Sequence, residues 1–295
     1  MSDFSVQPVD TPRGRFACRV MGSGPPLVMV HGWPESSWCW WPVASRLAEQ
    51  YRVIAPDLRG LGDAERSLTL EAYTKQALGA DLLALLDVLG IRRATLVGHD
   101  WGGAVAQEAA LAESGRFDGL VLLNIHVLPN ARGNAAAQAA LRNNPAALWY
   151  QFFQNARDDH GDGLAEAMIP GNERAWLGHF LRTWSRLDFP ADALDEYVRC
   201  YRQPHTATTG ANYYRTYKAD RARWAELAGQ RFAMPGLYIH GRHDPVIVPE
   251  FTRHLDDVFD HIRVESLDAA HFVQEECPDQ VARLIRDFIG RPGGL

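Results

Sequence analysis

An aspartate stands where a buried strand pattern turns directly into a helix pattern. The segment 96–103 reads LVGHDWGG, so small residues flank Asp100 in a Gly-x-Asp-x-Gly arrangement. A sharp strand-to-helix turn of this kind, the nucleophile elbow, needs small neighbours because it presents one side chain above a sheet. An aspartate that only caps a helix gives a similar pattern. The segment alone therefore predicts either a carboxylate nucleophile or a helix cap.

Two tryptophans are placed to supply backbone donors beside this aspartate. Trp33 belongs to the segment HGWP at 31–34, which follows the first buried strand pattern, and Trp101 directly follows Asp100. Backbone N–H groups at these two positions form an oxyanion hole in enzymes built around a nucleophile elbow. We therefore expect the N–H groups of Trp33 and Trp101 to face Asp100.

An acid and a base follow at the ends of later strand patterns. Asp244 is placed to orient an imidazole, and His271 supplies one, so the chain order is nucleophile, acid, base. His243 is the weaker candidate base because it shares a loop with the acid, whereas a base must approach from across the site. His99 is given no catalytic role, since adjacent side chains at an elbow point in different directions.

The strands and helices that must position these residues can be predicted from the sequence pattern. Short apolar runs alternate with helical patterns, and this alternation is typical of a mostly parallel sheet. The predicted strands are 27–30, 53–55, 95–97, 120–123, 237–239 and 262–266. Between residues 129 and 229 the periodicity is helical throughout. We predict one α/β core domain, residues 1–128 and 230–295, with a helical cap, residues 129–229, above the carboxyl ends of the strands.

These motifs resemble those of the α/β-hydrolase superfamily, and within it the aspartate-nucleophile epoxide hydrolases and dehalogenases. The resemblance extends from about residue 14 to 290 and rests on HGWPES at 31–36, GHDWGG at 98–103 and AHF at 270–272. It implies an α/β-hydrolase fold, with a mostly parallel eight-stranded sheet, flanking helices and an inserted cap. The implied activity is hydrolysis of epoxides to vicinal diols through an alkyl-aspartyl ester.

Whether the sequence predicts epoxides or halides as substrates depends on how the leaving group departs. An alkoxide leaves poorly unless it is protonated, commonly by a tyrosine. The segment NYYR at 212–215 resembles the epoxide-hydrolase segment that carries this donor, and the resemblance implies that Tyr214 is the donor here. The segment WYQ at 149–151 resembles the segment that carries a second donor, which implies Tyr150. The alternative for either tyrosine is packing. The substrate pocket is expected to include Trp101, Gln151 and Phe272.

Two other readings remain open. Haloacetate dehalogenases carry arginines where this chain has Trp101 and Ala104, and their halide-binding His-Trp pair falls at Tyr150 and Gln151. Haloalkane dehalogenases have asparagine at the position of Trp33. The other alternative to epoxide hydrolysis is a non-catalytic ligand-binding member of the superfamily. The complete triad counts against it, because a binding protein does not need one.

The composition of the chain excludes several classes of binding partner. The 295 residues carry a net charge of −6, which offers no basic surface for nucleic acid or an anionic membrane. Four widely spaced cysteines suggest neither disulfides nor a zinc site, so a reducing compartment is favoured. No signal peptide or transmembrane run is apparent. We expect a cytoplasmic enzyme that acts on a small molecule without a metal or organic cofactor; a homodimer is left open.

Overall fold

The computed structural model describes residues 4–290. Its strands are β1 (Val6–Thr11), β2 (Gly14–Met21), β3 (Pro26–Val30), β4 (Arg52–Pro56), β5 (Ala94–His99), β6 (Phe117–Leu123), β7 (Gly236–Gly241) and β8 (Ile262–Leu267). They form one eight-stranded sheet in the order β1-β2-β4-β3-β5-β6-β7-β8. The two pairs that involve β2 are antiparallel, and the remaining pairs are parallel. This is the fold class that the sequence predicts.

Helices flank the sheet and fill the long connection between β6 and β7. They are α1 (Trp41–Leu47), α2 (Lys75–Val88), α3 (Trp101–Ala112), α4 (Ala131–Leu141), α5 (Trp149–Asn155), α6 (Leu164–Met168), α7 (Glu173–Thr183), α8 (Ala191–Tyr201), α9 (Thr206–Arg215), α10 (Tyr217–Leu227), α11 (Val273–Glu276) and α12 (Pro278–Ile289). Against the sheet, α1 packs on α12 and α2 packs on α3. Within residues 4–290, no helix has both the length and the apolar character that crossing a bilayer requires.

The structure has a strand at each of the six predicted positions. These strands lie in the middle and at one end of the sheet, and several are buried along their whole length, as β5 and β7 are. Continuous burial requires an unbroken apolar run, which is why the pattern is readable. The apolar pattern of the sequence does not predict β1 and β2. β1 is the edge strand and is partly exposed, and Pro8 and Asp10 interrupt its apolar pattern.

The connection from β6 to β7 contains α4 to α10 and, among the described residues, no strand of the sheet. Two isolated bridges involve it, one between Arg157 and Gly163 and one between Phe232 and Phe259. Its helices are held over the sheet by both apolar and polar contacts. Tyr213 on α9 donates a hydrogen bond from its hydroxyl to the carbonyl of Arg59 at 2.8 Å. Thr209 donates to the carbonyl of Gly60 at 2.7 Å. The insertion is therefore bonded to the loop that follows β4.

A buried lysine makes the most extensive of these polar contacts. The ammonium of Lys75, the first residue of α2, donates to the Tyr213 carbonyl at 2.5 Å, the Thr216 hydroxyl at 3.1 Å and the Asp220 carboxylate at 2.9 Å. It also lies 4.2 Å from the ring centre of Trp101. Burial lowers the pKa of Lys75, and Asp220 opposes that effect. The ion pair thus joins the core to α9 and α10.

Removing one member of this pair should destabilise the protein strongly. We expect Asp220→Asn to lower the free energy of unfolding by about 3–5 kcal/mol, because it leaves the Lys75 ammonium buried without a counter-charge. The double variant Lys75→Met/Asp220→Leu should lose less. Asp118→Asn is the matched control, since Asp118 pairs with Arg93 on the surface and such pairs contribute about 0–1 kcal/mol. Urea unfolding measures all three, and equal losses in Asp220→Asn and the control would contradict the expectation.

Candidate active site

Asp100 occupies a sharp turn between β5 and α3. Its φ of 47° lies in the region that L-residues rarely adopt. The turn closes because its neighbours are glycines: a Cβ on Gly102 would lie 2.2 Å from the carbonyl oxygen of His31, and a Cβ on Gly98 would lie 2.5 Å from the Cα of Gly103. Larger residues at these positions would push β5, α3 and the loop after β3 apart.

The two oxygens of the Asp100 carboxylate have different surroundings. Oδ1 accepts a hydrogen bond from the backbone N–H of Trp33 at 2.9 Å, whereas Oδ2 lies 3.8 Å from Nε2 of His271. A Cβ on Gly32 would lie 2.4 Å from the Cβ of Asp100, so this close approach also depends on glycine. Trp101 is the first residue of α3, and N–H groups in a first helical turn have no partner within the helix. One oxygen is held, and the other faces the imidazole.

His271 is held by the second aspartate. Its Nδ1 and Oδ2 of Asp244 are 2.7 Å apart, and Oδ1 of Asp244 accepts the backbone N–H groups of Val246 and Ile247, each at 2.8 Å. Burial alone would raise the pKa of Asp244, but the His271 imidazolium and these donors lower it. Burial likewise opposes protonation of His271, yet the carboxylates of Asp244 and Asp100 outweigh it and raise its pKa to about 9. His271 is therefore protonated at neutral pH in the free protein.

Two tyrosines from different helices of the insertion meet near this group. The rings of Tyr150 on α5 and Tyr214 on α9 are perpendicular, with centres 5.4 Å apart. Tyr150 stacks on Trp33 at 5.7 Å, and Tyr214 meets the edges of Trp33 and Trp101 at 5.3 and 5.7 Å. Burial raises the pKa of both phenols, so both hydroxyls keep their protons at neutral pH. Gln151 donates a hydrogen bond to the Tyr150 hydroxyl at 3.2 Å.

This geometry joins a carboxylate at an elbow to an oriented imidazole, and comparison with known proteins identifies the family. The sequence model of the alpha/beta hydrolase fold matches residues 25–278. The chain belongs to the α/β-hydrolase fold family. It is 30% identical to "Epoxide hydrolase A" of Mycobacterium tuberculosis, over 92% of this chain and 93% of that protein. It is 32% identical to the "Soluble epoxide hydrolase" of a Corynebacterium species, over 88% of each.

A solved structure agrees with these sequence relatives. Epoxide Hydrolase A from Mycobacterium thermoresistibile superimposes with a TM-score of 0.83 at 26% identity, covering 97% of this chain and 98% of that one. The resemblance to α/β-hydrolases, and to epoxide hydrolases among them, is thereby confirmed.

His243 and Phe272 contact residues other than Asp100. The side chain of His243 is 44% exposed and bonds to Asp268 at 2.8 Å, so it faces solvent and not Asp100. Phe272 is fully buried, and its ring packs on those of His271 and His99 at 5.1 and 6.0 Å. Phe272 therefore supports the imidazole from one side.

Two residues that hold His271 were not found from the sequence. Asn124, which follows β6 with a φ of 43°, donates to the carbonyls of Ala270 and His271 at 2.7 and 2.9 Å and accepts the N–H of Gly241 at 2.8 Å. The N–H of His271 donates to the carbonyl of Trp184 at 2.9 Å. A polar residue at the end of a strand could have drawn attention to Asn124, whereas a backbone carbonyl leaves no signal in the sequence.

A buried polar cluster behind His271 was also missed. Glu35 bonds to Nδ1 of His99 at 2.8 Å and to the amide of Gln274 at 2.7 Å, and Nε2 of His99 bonds to the carbonyl of His271 at 2.9 Å. Burial raises the pKa of Glu35 to about 8 and lowers that of His99 to about 3. Glu35 belongs to the HGWPES segment, so part of that segment fixes the backbone of the base.

One group of metal-ligand residue types lies elsewhere. Asp63, Glu196 and Cys200 approach one another closely enough to share an ion. Arg199, however, bonds to the carboxylates of both Asp63 and Glu196 at 2.7 Å. The guanidinium already balances these charges, so the donor set does not indicate a cation site.

The pKa of His271 should respond to the charge of Asp100. We expect Asp100→Asn to lower that pKa from about 9 toward 6.5, because one of the two carboxylates that raise it becomes neutral. The remaining bond to Asp244 should keep the value above 6.5. Imidazole nitrogen shifts followed by NMR across pH measure the change. Asp118→Asn is the control, because it removes a distant surface charge and should leave the pKa of His271 unchanged. An unchanged pKa of His271 in Asp100→Asn would contradict the expectation.

Proposed function

We propose that this protein hydrolyses epoxides to vicinal diols through a covalent alkyl ester on Asp100. The observation that carries the proposal is a carboxylate, in place of a serine, at the elbow beneath two protonated tyrosines. A carboxylate nucleophile suits attack on a saturated carbon that bears a leaving group. The names of the relatives from Mycobacterium tuberculosis and Corynebacterium support the same substrate class. The substrate is thus a small molecule.

The first step forms the ester. Oδ2 of Asp100, the oxygen that Trp33 does not hold, attacks the less hindered or more activated carbon of the ring. The carbon–oxygen bond to that carbon breaks, and the leaving oxygen takes a proton from the hydroxyl of Tyr214, assisted by Tyr150. A raised phenol pKa favours this role, since the donor must remain protonated until the ring opens.

The second step breaks the ester with water. Once the ester has formed, His271 releases its proton, which restores the hydroxyl of Tyr214. The neutral imidazole, oriented by Asp244, then takes a proton from a water molecule, and the oxygen of that water adds to the carbonyl carbon of the Asp100 ester. The N–H groups of Trp33 and Trp101 stabilise the resulting oxyanion. When the intermediate collapses, the bond to the diol oxygen breaks and that oxygen takes the proton from His271. The new Asp100 carboxyl group then gives its proton to His271, which restores the carboxylate and the imidazolium.

The helical insertion, residues 129–229, acts as a cap in this proposal. Its helices α5 and α9 carry both proposed proton donors, and Trp184 accepts the N–H of His271. Both tyrosines are buried, and their rings pack on Trp33. Exclusion of bulk water at this position strengthens the electrostatic interactions on which the two steps depend.

Dehalogenation by the same two steps is the second candidate. The observation in its favour is that the indole nitrogens of Trp33 and Trp101 are buried and form no hydrogen bond with residues 4–290. Indole N–H groups could stabilise a departing halide, which needs donors but no proton. The two candidates therefore differ in whether the leaving atom requires an acid.

Variants of the nucleophile and the base separate the two steps. Asp100→Asn should abolish steady diol formation, because the amide does not attack the ring. His271→Gln should form the ester but fail to hydrolyse it, so intact-protein mass spectrometry should show one added substrate mass. Diol formation by Asp100→Asn at the wild-type rate would contradict the mechanism, and a protein that is never labelled would indicate a binding role.

Loss of the Tyr214 hydroxyl should affect epoxides selectively. We expect Tyr214→Phe to slow alkylation by an epoxide about 100-fold, because the leaving oxygen loses its acid. Alkylation by a matched alkyl halide should change far less. Tyr213→Phe is the control on the same helix, since the Tyr213 hydroxyl bonds to the carbonyl of Arg59 away from Asp100. Single-turnover mass spectrometry measures the alkylation rates. If Tyr214→Phe slowed alkylation by the epoxide and by the halide equally, Tyr214 would have only a packing role.

A further inference from the structure

The loop that carries His271 is bonded directly to the helical insertion. This base loop, residues 268–272, follows β8 and lies against residues 184–186, which belong to the connection between α7 and α8. The backbone N–H of His271 donates to the carbonyl of Trp184 at 2.9 Å, and the two rings pack edge to face with centres 5.1 Å apart. The position of the imidazole therefore depends on a segment of the insertion as well as on the core.

A buried carboxylate bonds to both of these segments. Glu276 is the last residue of α11, and its Oε1 accepts the backbone N–H groups of Ala270 and Phe272, each at 3.1 Å. Its Oε2 accepts the backbone N–H of Arg186 at 2.9 Å and also lies 3.1 Å from the N–H of Ala270. Of three consecutive N–H groups in the base loop, the outer two thus bond to Glu276 and the middle one, that of His271, bonds to the insertion.

A carboxylate is the group that can accept all of these bonds at once. When ionised, it has two acceptor oxygens and no proton to donate. The amide of a glutamine would turn its NH2 group toward some of these N–H donors, and a buried N–H without an acceptor is costly. Bonds to Ala270 and Phe272 alone would stabilise only the local turn. The additional bond to Arg186 joins that turn to the insertion.

We propose that Glu276 is a positioning residue that couples the docking of residues 184–186 on the base loop to the placement of His271. If this segment moves away, Glu276 loses a donor and the N–H of His271 loses its acceptor. The imidazole is then held less firmly, and hydrolysis of the ester slows, because a general base must keep its geometry. Attack of Asp100 on the epoxide does not use this base. The inference rests on the proposed epoxide hydrolysis and makes its second step depend on the insertion.

Single-turnover mass spectrometry with an epoxide separates the two steps. Glu276→Gln should slow hydrolysis of the alkyl-enzyme about 10- to 100-fold, the range expected when a catalytic group is displaced. The rate of alkylation of Asp100 should not change. Glu226→Gln is the matched control, because it removes the same charge from an exposed pair with Arg223 on α10, and it should leave both rates unchanged. Equal slowing of both steps in Glu276→Gln, or no slowing of hydrolysis, would overturn the proposal.

Amide hydrogen exchange followed by NMR tests the coupling without any substrate. The N–H of His271 bonds to Trp184 and not to Glu276, so a purely local role for Glu276 would leave its exchange unchanged. We expect Glu276→Gln to speed exchange at this amide about tenfold or more, because the insertion is released from the base loop. Amides inside β5 should exchange as in the wild type. A His271 amide that stays protected, or one that exchanges faster only by the same factor as β5, would overturn the coupling.

The wild-type protein provides the same test if Glu276→Gln does not fold. Exchange in increasing, sub-denaturing urea reports the free energy and the exposed surface of each local opening. The amides of Arg186 and His271 should open together with one urea dependence, and separate openings would overturn the coupling. Failure of the proposed function has a different signature: if no epoxide gives diol or alkyl-enzyme, epoxide hydrolysis is wrong, and the exchange results still decide whether the insertion and the base loop are coupled.

Discussion

The backbone turn at Asp100 is the constraint on which the rest of the site depends. A φ of 47° at a non-glycine residue costs about 1–3 kcal/mol, and packing on both sides must maintain it. The glycines around the turn allow that packing, because a Cβ on Gly32 or Gly102 would overlap atoms across the turn. The same close approach brings the N–H of Trp33 to the carboxylate. The strained backbone, the glycines and the position of the Trp33 N–H beside the carboxylate are therefore one requirement.

Electrostatics then order the two proposed steps in time. In the free protein His271 lies between the carboxylates of Asp100 and Asp244, which keep it protonated, and a protonated imidazole cannot activate water. Esterification neutralises Asp100 and removes one of the charges that hold the proton. The imidazole becomes a better base only after the ester exists. In the proposed mechanism, Asp100 therefore carries its charge when it attacks, and His271 loses its charge before it acts as a base.

The sequence predicts the core strands well because their signals are local, and the structure brings Asp100, Asp244 and His271 together, while their catalytic roles stay a prediction. Buried strands require continuous apolar runs, and Asp100 and Asp244 follow such strands, whereas His271 follows the partly exposed strand β8. Partial exposure does not by itself remove the signal, since the other edge strand, β8, is partly exposed and was predicted. β1 lacks the signal because Pro8 and Asp10 interrupt its apolar pattern. Contacts between distant segments leave less trace: Asn124 holds the His271 loop across more than a hundred residues, and Trp184 does so through its backbone carbonyl, which any residue could offer.

The orientation of α9 depends on the buried ion pair and determines which of its residues lie near Asp100. Apolar side chains of similar volume often stabilise a protein as well as a buried pair does, but an apolar contact tolerates small rotations. The Lys75 ammonium instead bonds to the Tyr213 carbonyl, the Thr216 hydroxyl and the Asp220 carboxylate at once. Rotation of α9 or α10 would break at least one of these bonds. The core lysine thereby keeps the Tyr214 side of α9 facing Trp101, next to Asp100.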